Sequence, residues 1–280
     1  CTYCIIPYIR GNYRSVPMEE LVAQAKELVA AGAKELILVA QETTLYGVDL
    51  YGEKSLHKLL DALNEIPGLF WIRIMCCYPE EIYEELIDAI ARNEKVCHYL
   101  DMPIQHASDK ILAKMGRKTR KEELEGIIAK LREEIPDICL RTTLISGFPG
   151  ETEEQFQDTL TAIDEYELDY CNVAAYSPRE KTVAARWTDK FIPEDIKNER
   201  FQRLNDKVKE NCLKSNLKYV GREMEVLVEN FYEHKGQMIN TGKTRNFKTV
   251  HIPCNTDLTG QFVNVKISGA KTWYLKGELI

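Results

Sequence analysis

Apolar runs suited to buried strands alternate with helical patterns through the first two thirds of the chain. Strands are predicted over residues 35–40, 70–77, 96–104, 138–146 and 168–176, and helices over 17–31, 55–66, 79–91, 108–115, 119–134 and 152–166. A strand–helix–strand repeat produces parallel strands joined by right-handed crossovers. The alternation therefore predicts an α/β fold, built either as a barrel or as an open doubly wound sheet.

Polar motifs follow several of these strands at the point where each strand ends. Gln41 follows the first strand, Gln105 follows the third, and the run GFPGE at 147–151 follows the fourth. Ligands of parallel α/β proteins bind at the carboxyl ends of the strands. We therefore expect a binding site at this end of the sheet.

The pattern changes in the last third of the chain. Residues 193–217 form a long, charged helical pattern with few breakers, and short alternating strands follow Tyr219. Short strands separated by Gly and Asn turns are typical of a small β-barrel. We therefore divide the chain into an α/β domain at 1–192, a helical connector at 193–218 and a β-barrel at 219–280.

Composition and charge narrow the classes of protein. Apolar residues make up 44% of the chain and charged residues 29%, which is typical of globular proteins and not of disordered ones. No apolar run is long enough to span a bilayer, so no membrane partner is expected. Residues 219–280 carry eight basic and six acidic side chains, a net charge of +2, whereas residues 1–218 carry a net charge of −9. A basic tail on an acidic body favours an anionic partner such as RNA.

Cys1 and Cys4 form a CxxC motif at the start of the chain. A zinc site would need a second ligand pair, and no second CxxC or HxxxH is present. A thioredoxin-like motif would follow a strand and open a helix, whereas residues 5–11 are predicted to form a loop. Compact loops of this kind hold the thiolate ligands of iron–sulfur clusters, and the alternative is that both cysteines are incidental buried thiols.

The segment CTYCIIPYIRGNYRS resembles the end of the CxxxCxxC cluster loop of radical S-adenosylmethionine (SAM) enzymes, in the methylthiotransferase family. Further motifs resemble the branch of this family that modifies an aspartate of the twelfth small-subunit ribosomal protein: QETTLYGVDLYG, CCYPEEI, YLDMPIQHASDKILAKMGR and LRTTLISGFPGETEE. The resemblance implies that the α/β domain is a partial (β/α) TIM-like radical SAM barrel.

The later motifs resemble a second branch, which modifies adenosine-37 of tRNA. They are YSPREKTVAA, FQRLNDKV, TGKTRNFKTVHI and LTGQFVNVKI. The C-terminal segment resembles a TRAM domain, a small β-barrel that binds RNA or substrate. The chain is then either a divergent member of the family or a hybrid of the two branches, joined near GFPGETEE.

The resemblance also implies the cofactors. Three cysteines of the family loop bind three irons of a [4Fe–4S] cluster, SAM chelates the fourth iron, and an electron from the cluster cleaves SAM to a 5′-deoxyadenosyl radical. Cys1 and Cys4 match the second and third cysteines, and the first would lie four residues before Cys1. The family holds a second [4Fe–4S] cluster in an N-terminal domain, and a flavodoxin or ferredoxin is an expected electron donor. We therefore expect residues 1–280 alone to be inactive.

Six residues near the strand ends are candidate contacts to SAM. The turn at Gly147, Gly150 and Glu151 precedes a helix and offers backbone N–H groups, although a tight turn also needs glycine. Arg141 would pair with the SAM carboxylate if it points inward, and is otherwise a structural arginine. Gln41 and Gln105 either contact SAM or substrate or only cap their strands. His106 is interpreted as a structural histidine.

In the predicted barrel, four polar residues lie around one strand turn. They are Lys243, Arg245, Asn246 and Lys248, and Phe247 lies among them. Basic residues beside an aromatic ring suit contacts to phosphate and stacking on a base. The alternative is a solvated face of the barrel.

The remaining seven cysteines occur singly or as the pair Cys76–Cys77. Isolated cysteines in strands behave as small apolar residues, so we interpret them as core filler. Cluster thiolates and unpaired cysteines need a reducing compartment, which predicts a cytoplasmic protein.

These observations lead to one preferred function and two alternatives. The preferred function is transfer of a methylthio group to an aspartate of the twelfth small-subunit ribosomal protein. The first alternative is methylthiolation of adenosine-37 in tRNA, supported by the tail motifs. The second is a non-catalytic fragment that binds RNA or the ribosome through the β-barrel.

Overall fold

The computed structural model describes all 280 residues, and its first part contains a parallel sheet of five strands. The strands follow one another across the sheet in chain order: β1 (Glu35–Leu38), β2 (Trp71–Ile74), β3 (Val96–Asp101), β4 (Cys139–Ser146) and β5 (Tyr170–Ala175). The sheet is open, and β1 forms one of its edges. The five predicted strands are therefore confirmed, and their order is that of a partial (β/α) barrel.

Nine helices accompany the sheet, and amphipathic spacing gives the longer ones an apolar side that is buried against it. They are α1 (Ile6–Arg10), α2 (Met18–Ala30), α3 (Val48–Tyr51), α4 (Leu56–Asn64), α5 (Glu84–Arg92), α6 (Asp109–Met115), α7 (Lys121–Glu134), α8 (Glu153–Glu165) and α9 (Glu194–Leu217). The largest core cluster lies between these helices and the outer face of the sheet, and includes Leu60, Ile72, Leu100 and Leu144.

Two local predictions need correction. Residues 5–11 were expected to form a loop, but Pro7 lies in the first turn of α1, where a missing N–H is tolerated. The helix α9, expected as a connector, also packs against the sheet, because Leu204, Val208 and Cys212 are buried in the main core. It therefore acts as a covering helix of the α/β domain as well as the link to the tail.

The tail forms a closed barrel of five strands. They are β6 (Glu223–His234), β7 (Gln237–Thr244), β8 (Thr249–Pro253), β9 (Phe262–Ala270) and β10 (Leu275–Leu279). Alternate residues such as Val226, Val250, Val265 and Leu275 fill the interior of the barrel. The sequence pattern indicated four of these strands, and β10 closes the barrel by pairing with both β8 and β9.

The barrel packs against the amino end of the parallel sheet. Phe262 lies edge-on to Trp71, with ring centroids 4.9 Å apart, and Phe247 lies 4.9 Å from Tyr99. Trp71 and Tyr99 each expose only 1% of their surface, and aromatic pairs of this geometry hold the two parts together. The barrel does not cover the carboxyl end of the sheet, where the polar motifs lie. None of the helices is both long and apolar enough to cross a membrane.

Candidate functional site

The CxxC loop is docked on the C-terminal end of α6. The backbone N–H of Thr2 donates to the carbonyl of Met115 at 2.8 Å, and the Thr2 hydroxyl donates to the carbonyl of Lys114 at 2.7 Å. Carbonyl groups at the end of a helix lack partners within the helix. The loop supplies those partners, which fixes its position. Gly116 follows in the left-handed conformation, with φ of 74°, and ends the helix beside Cys1.

Tyr3 anchors the same loop to the ends of two strands. Its ring meets Phe148 edge-on at 6.0 Å, and Phe148 in turn contacts Tyr176 and Trp187. The carbonyl of Thr2 accepts a hydrogen bond from the backbone of Ala184 at 2.9 Å. The loop, the turn after β4 and the segment after β5 therefore form one assembly at the carboxyl end of the sheet.

This assembly presents two thiols. Cys1 is exposed and Cys4 is half-buried, and neither forms a disulfide. Within residues 1–280 no group of three or more Cys, His, Asp or Glu side chains has the geometry of a metal site. The two thiols are free to bind a ligand, and their role as cluster ligands stays a prediction.

Arg117, which the sequence did not single out, lies next to this loop. Its guanidinium carbon stacks 4.1 Å from the ring centroid of Tyr78, and Nη2 donates to the carbonyl of Pro103 at 2.8 Å. Arg117 is 3% exposed, and its Nη1 has no hydrogen-bond partner among the protein groups. The Arg117 guanidinium is thus buried at the carboxyl end of the sheet, and its Nη1 donates to no group of the protein.

Glu42 is a second ionisable group that the sequence missed, one residue after Gln41. Its carboxylate accepts the backbone N–H of Thr44 at 2.9 Å and that of Tyr78 at 3.0 Å, and it is 6% exposed. Burial raises the pKa of Glu42 to about 7, against the lowering effect of these hydrogen bonds. Perturbed carboxyl groups of this kind are common in functional sites.

The two glutamines differ in their surroundings. Gln41 is exposed at the bend after β1. Gln105 is half-buried, its main chain pairs with Thr143 and Ile145 of β4 at 2.9 and 2.8 Å, and its φ is 72°. A left-handed conformation is unfavourable for a residue with a side chain, and such residues concentrate at functional sites. Contacts of both glutamines to SAM stay predictions, and Gln105 has the more constrained position.

The turn at 147–151 uses its backbone donors internally. The N–H of Gly147 donates to the Glu151 carboxylate at 3.0 Å, the N–H of Gly150 donates to the carbonyl of Lys190 at 2.8 Å, and the N–H of Glu151 donates to the carbonyl of Phe148 at 2.9 Å. These donors are therefore not free for SAM in this conformation. The predicted contacts of Gly147, Gly150 and Glu151 stay untested, and the geometry favours a structural role.

Glu151 belongs to a buried network with His106 and Arg200. Nδ1 of His106 accepts the N–H of Ser108 at 3.0 Å, so Nε2 carries the proton and donates to Glu151 at 3.0 Å. Arg200 of α9 donates to the other carboxylate oxygen at 2.8 Å. His106 is fully buried, as expected of a structural histidine. The network ties the loops after β3 and β4 to α9.

Arg141 points to the inner face of the sheet, as one of its two predicted orientations requires. Its Nη1 lies 2.9 Å from Oδ1 of Asp101, and Oδ2 of Asp101 accepts the N–H of Cys76 at 3.3 Å. Arg141 is the third residue of β4 and lines a cavity of about 200 Å³ between the sheet and the tail barrel. Its charge is already paired, and its contact with the SAM carboxylate stays a prediction.

The four polar residues of the tail lie in the contact between the two parts of the chain. Arg245 donates to the carbonyls of Glu94 and Val96, and Lys248 donates to the Ser215 hydroxyl at 2.9 Å and is 8% exposed. Asn246 donates to the Tyr219 hydroxyl at 2.7 Å. Because these side chains already donate to groups of the protein, they are poorly placed to contact a phosphate. Substrate binding by these three residues stays a prediction.

Lys243 lies in the same part of the contact and is half-buried. Its Nζ donates to the Thr249 hydroxyl at 2.6 Å and lies 4.9 Å from the ring centroid of Phe247. Burial lowers the pKa of Lys243. A solvated barrel face, the alternative to substrate binding, does not describe this cluster either, because it faces the α/β domain.

The other cysteines are mostly core residues. Five are buried, namely Cys77, Cys97, Cys139, Cys171 and Cys212, which agrees with the interpretation as apolar filler. Cys76 differs, because it is half-buried at the carboxyl end of β2 with φ of 59° and faces Asp101. Burial raises its thiol pKa.

Two solved structures described as radical SAM enzymes have a similar fold. The radical SAM methyltransferase TsrM from Kitasatospora setae, with cobalamin and a [4Fe–4S] cluster bound, is 19% identical with a TM-score of 0.54, and the alignment covers 66% of this chain and 36% of TsrM. Coproporphyrinogen III oxidase (HemN) from Escherichia coli is 17% identical with a TM-score of 0.51, over 69% of this chain and 46% of HemN. Similarity at this level shows the fold alone.

Curated relatives are much closer in sequence. A protein named ribosomal protein uS12 methylthiotransferase RimO from Lachnoclostridium phytofermentans is 48% identical over 99% of this chain and 64% of its own length. Proteins of the same name from Natranaerobius thermophilus and Clostridium botulinum are 44% and 47% identical, over 100% and 95% of this chain. The chain spans less than two thirds of the length of these relatives.

Family models match both parts of the molecule. The model of the TRAM domain matches residues 217–280, which include the whole closed barrel. The model of the radical SAM superfamily matches residues 1–163, from the CxxC loop through the first four strands to α8. The CxxC loop, the parallel sheet with its strand-end motifs and these matches together show that the chain belongs to the radical SAM superfamily and ends in a TRAM domain.

Proposed function

We propose that this chain is the radical SAM and TRAM part of an enzyme that transfers a methylthio group to an aspartate of ribosomal protein uS12. The observation that carries the proposal is the identity of 48% over 99% of the chain to a protein named for this activity. The alignment includes the tail as well as the sheet, so one family accounts for both parts.

The residues at the carboxyl end of the sheet fit the cofactors that the superfamily name implies. Two free thiols, on a loop fixed by α6 and by Tyr3, are suitable ligands for an iron–sulfur cluster. The unused Nη1 donor of Arg117 beside them is suited to an anionic group. When bound, a [4Fe–4S] cluster would supply the electron that splits SAM reductively.

The chain's own residues position and enclose this site. The His106–Glu151–Arg200 network holds the strand-end loops, and the cluster of Phe148, Tyr176 and Tyr3 covers one side with apolar rings. An enclosed site excludes water and protects a reactive species from side reactions. On the inner face of the sheet, Arg141 and Asp101 form an ion pair, which offsets the charge of each group.

Methylthiolation of tRNA adenosine-37 is the other reading of the tail motifs. The relatives that cover 99–100% of the chain, tail included, are named for uS12 and not for tRNA. Two of the four tail residues predicted to bind substrate, Arg245 and Lys248, are held by contacts to the α/β domain or α9. The uS12 substrate is therefore the better supported of the two.

The test is anaerobic reconstitution of the complete gene product with iron, sulfide, SAM and a reductant. Purified uS12 and unmodified tRNA are offered separately, and mass spectrometry measures the gain of a methylthio group. We expect the gain on uS12 alone. Cys1→Ala and Cys4→Ala should abolish it, whereas Cys254→Ala, a half-buried thiol of the tail barrel, should retain it. A methylthio gain on tRNA, or on uS12 in Cys1→Ala and Cys4→Ala, would contradict the proposal.

The proposal has three further parts. A second [4Fe–4S] cluster is held outside residues 1–280, and a flavodoxin or ferredoxin delivers the electrons. The protein works in the reducing cytoplasm, where all nine of its cysteines stay unpaired. Because the relatives are longer than this chain, we expect residues 1–280 alone to cleave SAM much more slowly than the complete gene product.

A further inference from the structure

Arg117 is an unusual arginine, because it is buried while only part of its guanidinium is partnered. Its side chain is 1% exposed; Nη2 donates to the carbonyl of Pro103 at 2.8 Å and lies 3.4 Å from Glu80. Nη1 has no partner among the protein groups. Buried guanidinium groups are stable when their donors are used, so a donor left free at this depth points to an acceptor from outside the chain.

The position of Arg117 defines where that acceptor lies. Gly116, the preceding residue, contacts Cys1 and Thr2: a Cβ at this glycine would be 3.5 Å from the Cα of Cys1. Thr2 also donates to the carbonyls of Met115 and Lys114, so the CxxC loop lies against the residues that directly precede Arg117. The guanidinium itself stacks 4.1 Å from the ring centroid of Tyr78. Arg117 therefore lies beside the CxxC loop at the carboxyl end of the sheet.

The other buried arginines of the chain have no guanidinium nitrogen that is both unpartnered and next to the CxxC loop. Arg73 donates to Glu35 and to the carbonyls of Thr244 and Arg245. Arg200 has one unused nitrogen, Nε, but that atom lies 3.4 Å from the Glu153 carboxylate. Glu80, the acid nearest to Arg117, is on the Nη2 side and also accepts the Thr119 hydroxyl at 2.5 Å.

We propose that Nη1 of Arg117 donates a hydrogen bond to the anionic iron–sulfur centre that Cys1 and Cys4 hold, and that this contact raises the reduction potential of the centre. The proposal rests on the cofactor assignment above and names a positioning and tuning residue for it. Hydrogen bonds and net charge near cluster sulfurs set cluster potentials. A fixed cation stabilises the reduced form more than the oxidised form, because the reduced form carries one more negative charge.

The experiment compares variants of the complete gene product after anaerobic reconstitution. Arg117→Met removes the charge and all of the guanidinium donors, Arg117→Lys keeps the charge, and Arg132→Met removes a charge at the end of α7, where Arg132 donates to the carbonyl of Tyr166. Iron content is measured first, and the midpoint potential of the cluster is then measured by a spectroscopic redox titration.

We expect Arg117→Met to make reduction about tenfold less favourable, a shift of about 59 mV to lower potential for a one-electron couple. Arg117→Lys should give a smaller shift, and Arg132→Met should give none. If Arg117→Met does not bind iron, the midpoint potential of Arg117→Lys is used to test the proposal, since that variant retains the charge. An unchanged potential in the loaded variants would overturn the proposal, and so would weaker SAM binding without a change in potential.

The outcomes also separate this inference from the proposed function. One outcome is that the potential shifts in Arg117→Met while the wild type does not modify uS12. That result would overturn the proposed substrate and leave the inference standing. Methylthiolation of uS12 with no shift in potential would overturn the inference alone. A wild-type protein that binds no cluster would overturn both.

Discussion

The amino end and the carboxyl end of the parallel sheet both bury charged groups, and they differ in how those groups are partnered. At the amino end, Arg73 is fully buried, its Nε donates to Glu35 at 2.6 Å, and its other nitrogens donate to carbonyls of the tail barrel. Lys248 is likewise partnered by Ser215 and lies 3.6 Å from Asp169.

At the carboxyl end the partnering is incomplete. No cation lies close enough to Glu42 to offset the cost of burying its charge, and the pKa of Glu42 is raised to about 7. Arg117 has an unused donor, and the backbones of Cys76 and Gln105 are left-handed. The comparison shows that the charged groups at the amino end join the two parts of the chain, whereas the carboxyl end retains unpartnered groups of the kind that concentrate in functional sites.

The largest expected effect is on the buried pair at the amino end. Arg73→Met should lower the free energy of unfolding by about 3–5 kcal/mol, because Glu35 is left as an unpaired buried charge. The matched control is Arg92→Met, whose pair with Asp61 is 50% and 42% exposed and should contribute less than about 1 kcal/mol. Urea unfolding followed by circular dichroism measures both. Equal losses in the two variants would show that the amino end is not held by this pair.

The second prediction concerns the pH dependence at the carboxyl end. Burial raises the pKa of Glu42 from 4.5 to about 7, so the native state keeps a proton that the unfolded state releases between these values. The free energy of unfolding should therefore fall by about 3 kcal/mol as pH rises through this window. This loss of stability is complete above pH 7 and absent below pH 4.5.

Glu42→Gln tests this prediction, because glutamine does not titrate. The difference in unfolding free energy between the wild type and Glu42→Gln should change with pH between 4.5 and 7, whatever the stability of the variant at any one pH. Glu53→Gln is the control, because the pKa of this exposed carboxyl is lowered by its hydrogen bond and ion pair with Lys58. A constant difference for Glu42→Gln would mean that the carboxyl is ionised throughout.

The third prediction asks whether the cations of the tail stabilise the structure. Lys248→Met should lower the free energy of unfolding by about 2 kcal/mol, because Ser215 and Asp169 lose their buried partner. Lys276→Met, at an exposed position of β10, should change it by less than about 0.5 kcal/mol. Similar stabilities of the two variants, together with weaker RNA binding by Lys248→Met, would instead assign Lys248 to an RNA surface.

The smallest expected effect is on the turn that supports the CxxC loop. Gly116 has φ of 74°, so Gly116→Ala should lower stability by about 1 kcal/mol, and Gly116→Asn by less. Gly126→Ala is the control in the opposite direction: Gly126 lies within α7 with open space around it, and alanine should stabilise by up to about 1 kcal/mol. Thermal unfolding separates the two signs, and a gain for Gly116→Ala would remove the strain argument at this turn.

The elements were predictable because their signals are local. Alternating apolar runs and helical spacing predicted all five strands of the sheet, and the CxxC with its flanking motifs indicated the cluster loop. Lys243 and Lys248 lie on either side of the turn between β7 and β8, as the strand pattern predicted. The surroundings of Lys248 could not be predicted, because they include Asp169, 79 residues upstream, and Ser215 of α9.

The alternation of strands and helices, the barrel at the tail and the two thiols of the loop follow from the sequence, since periodicity and motif spacing depend on neighbouring residues. Which charges are partnered depends on the three-dimensional fold. Arg73 and Arg117 are both buried, yet one donates to the tail barrel and the other retains a free donor beside the CxxC loop. Partnering depends on groups brought together from distant parts of the chain, and the burial that makes a missing partner unfavourable exists only after folding.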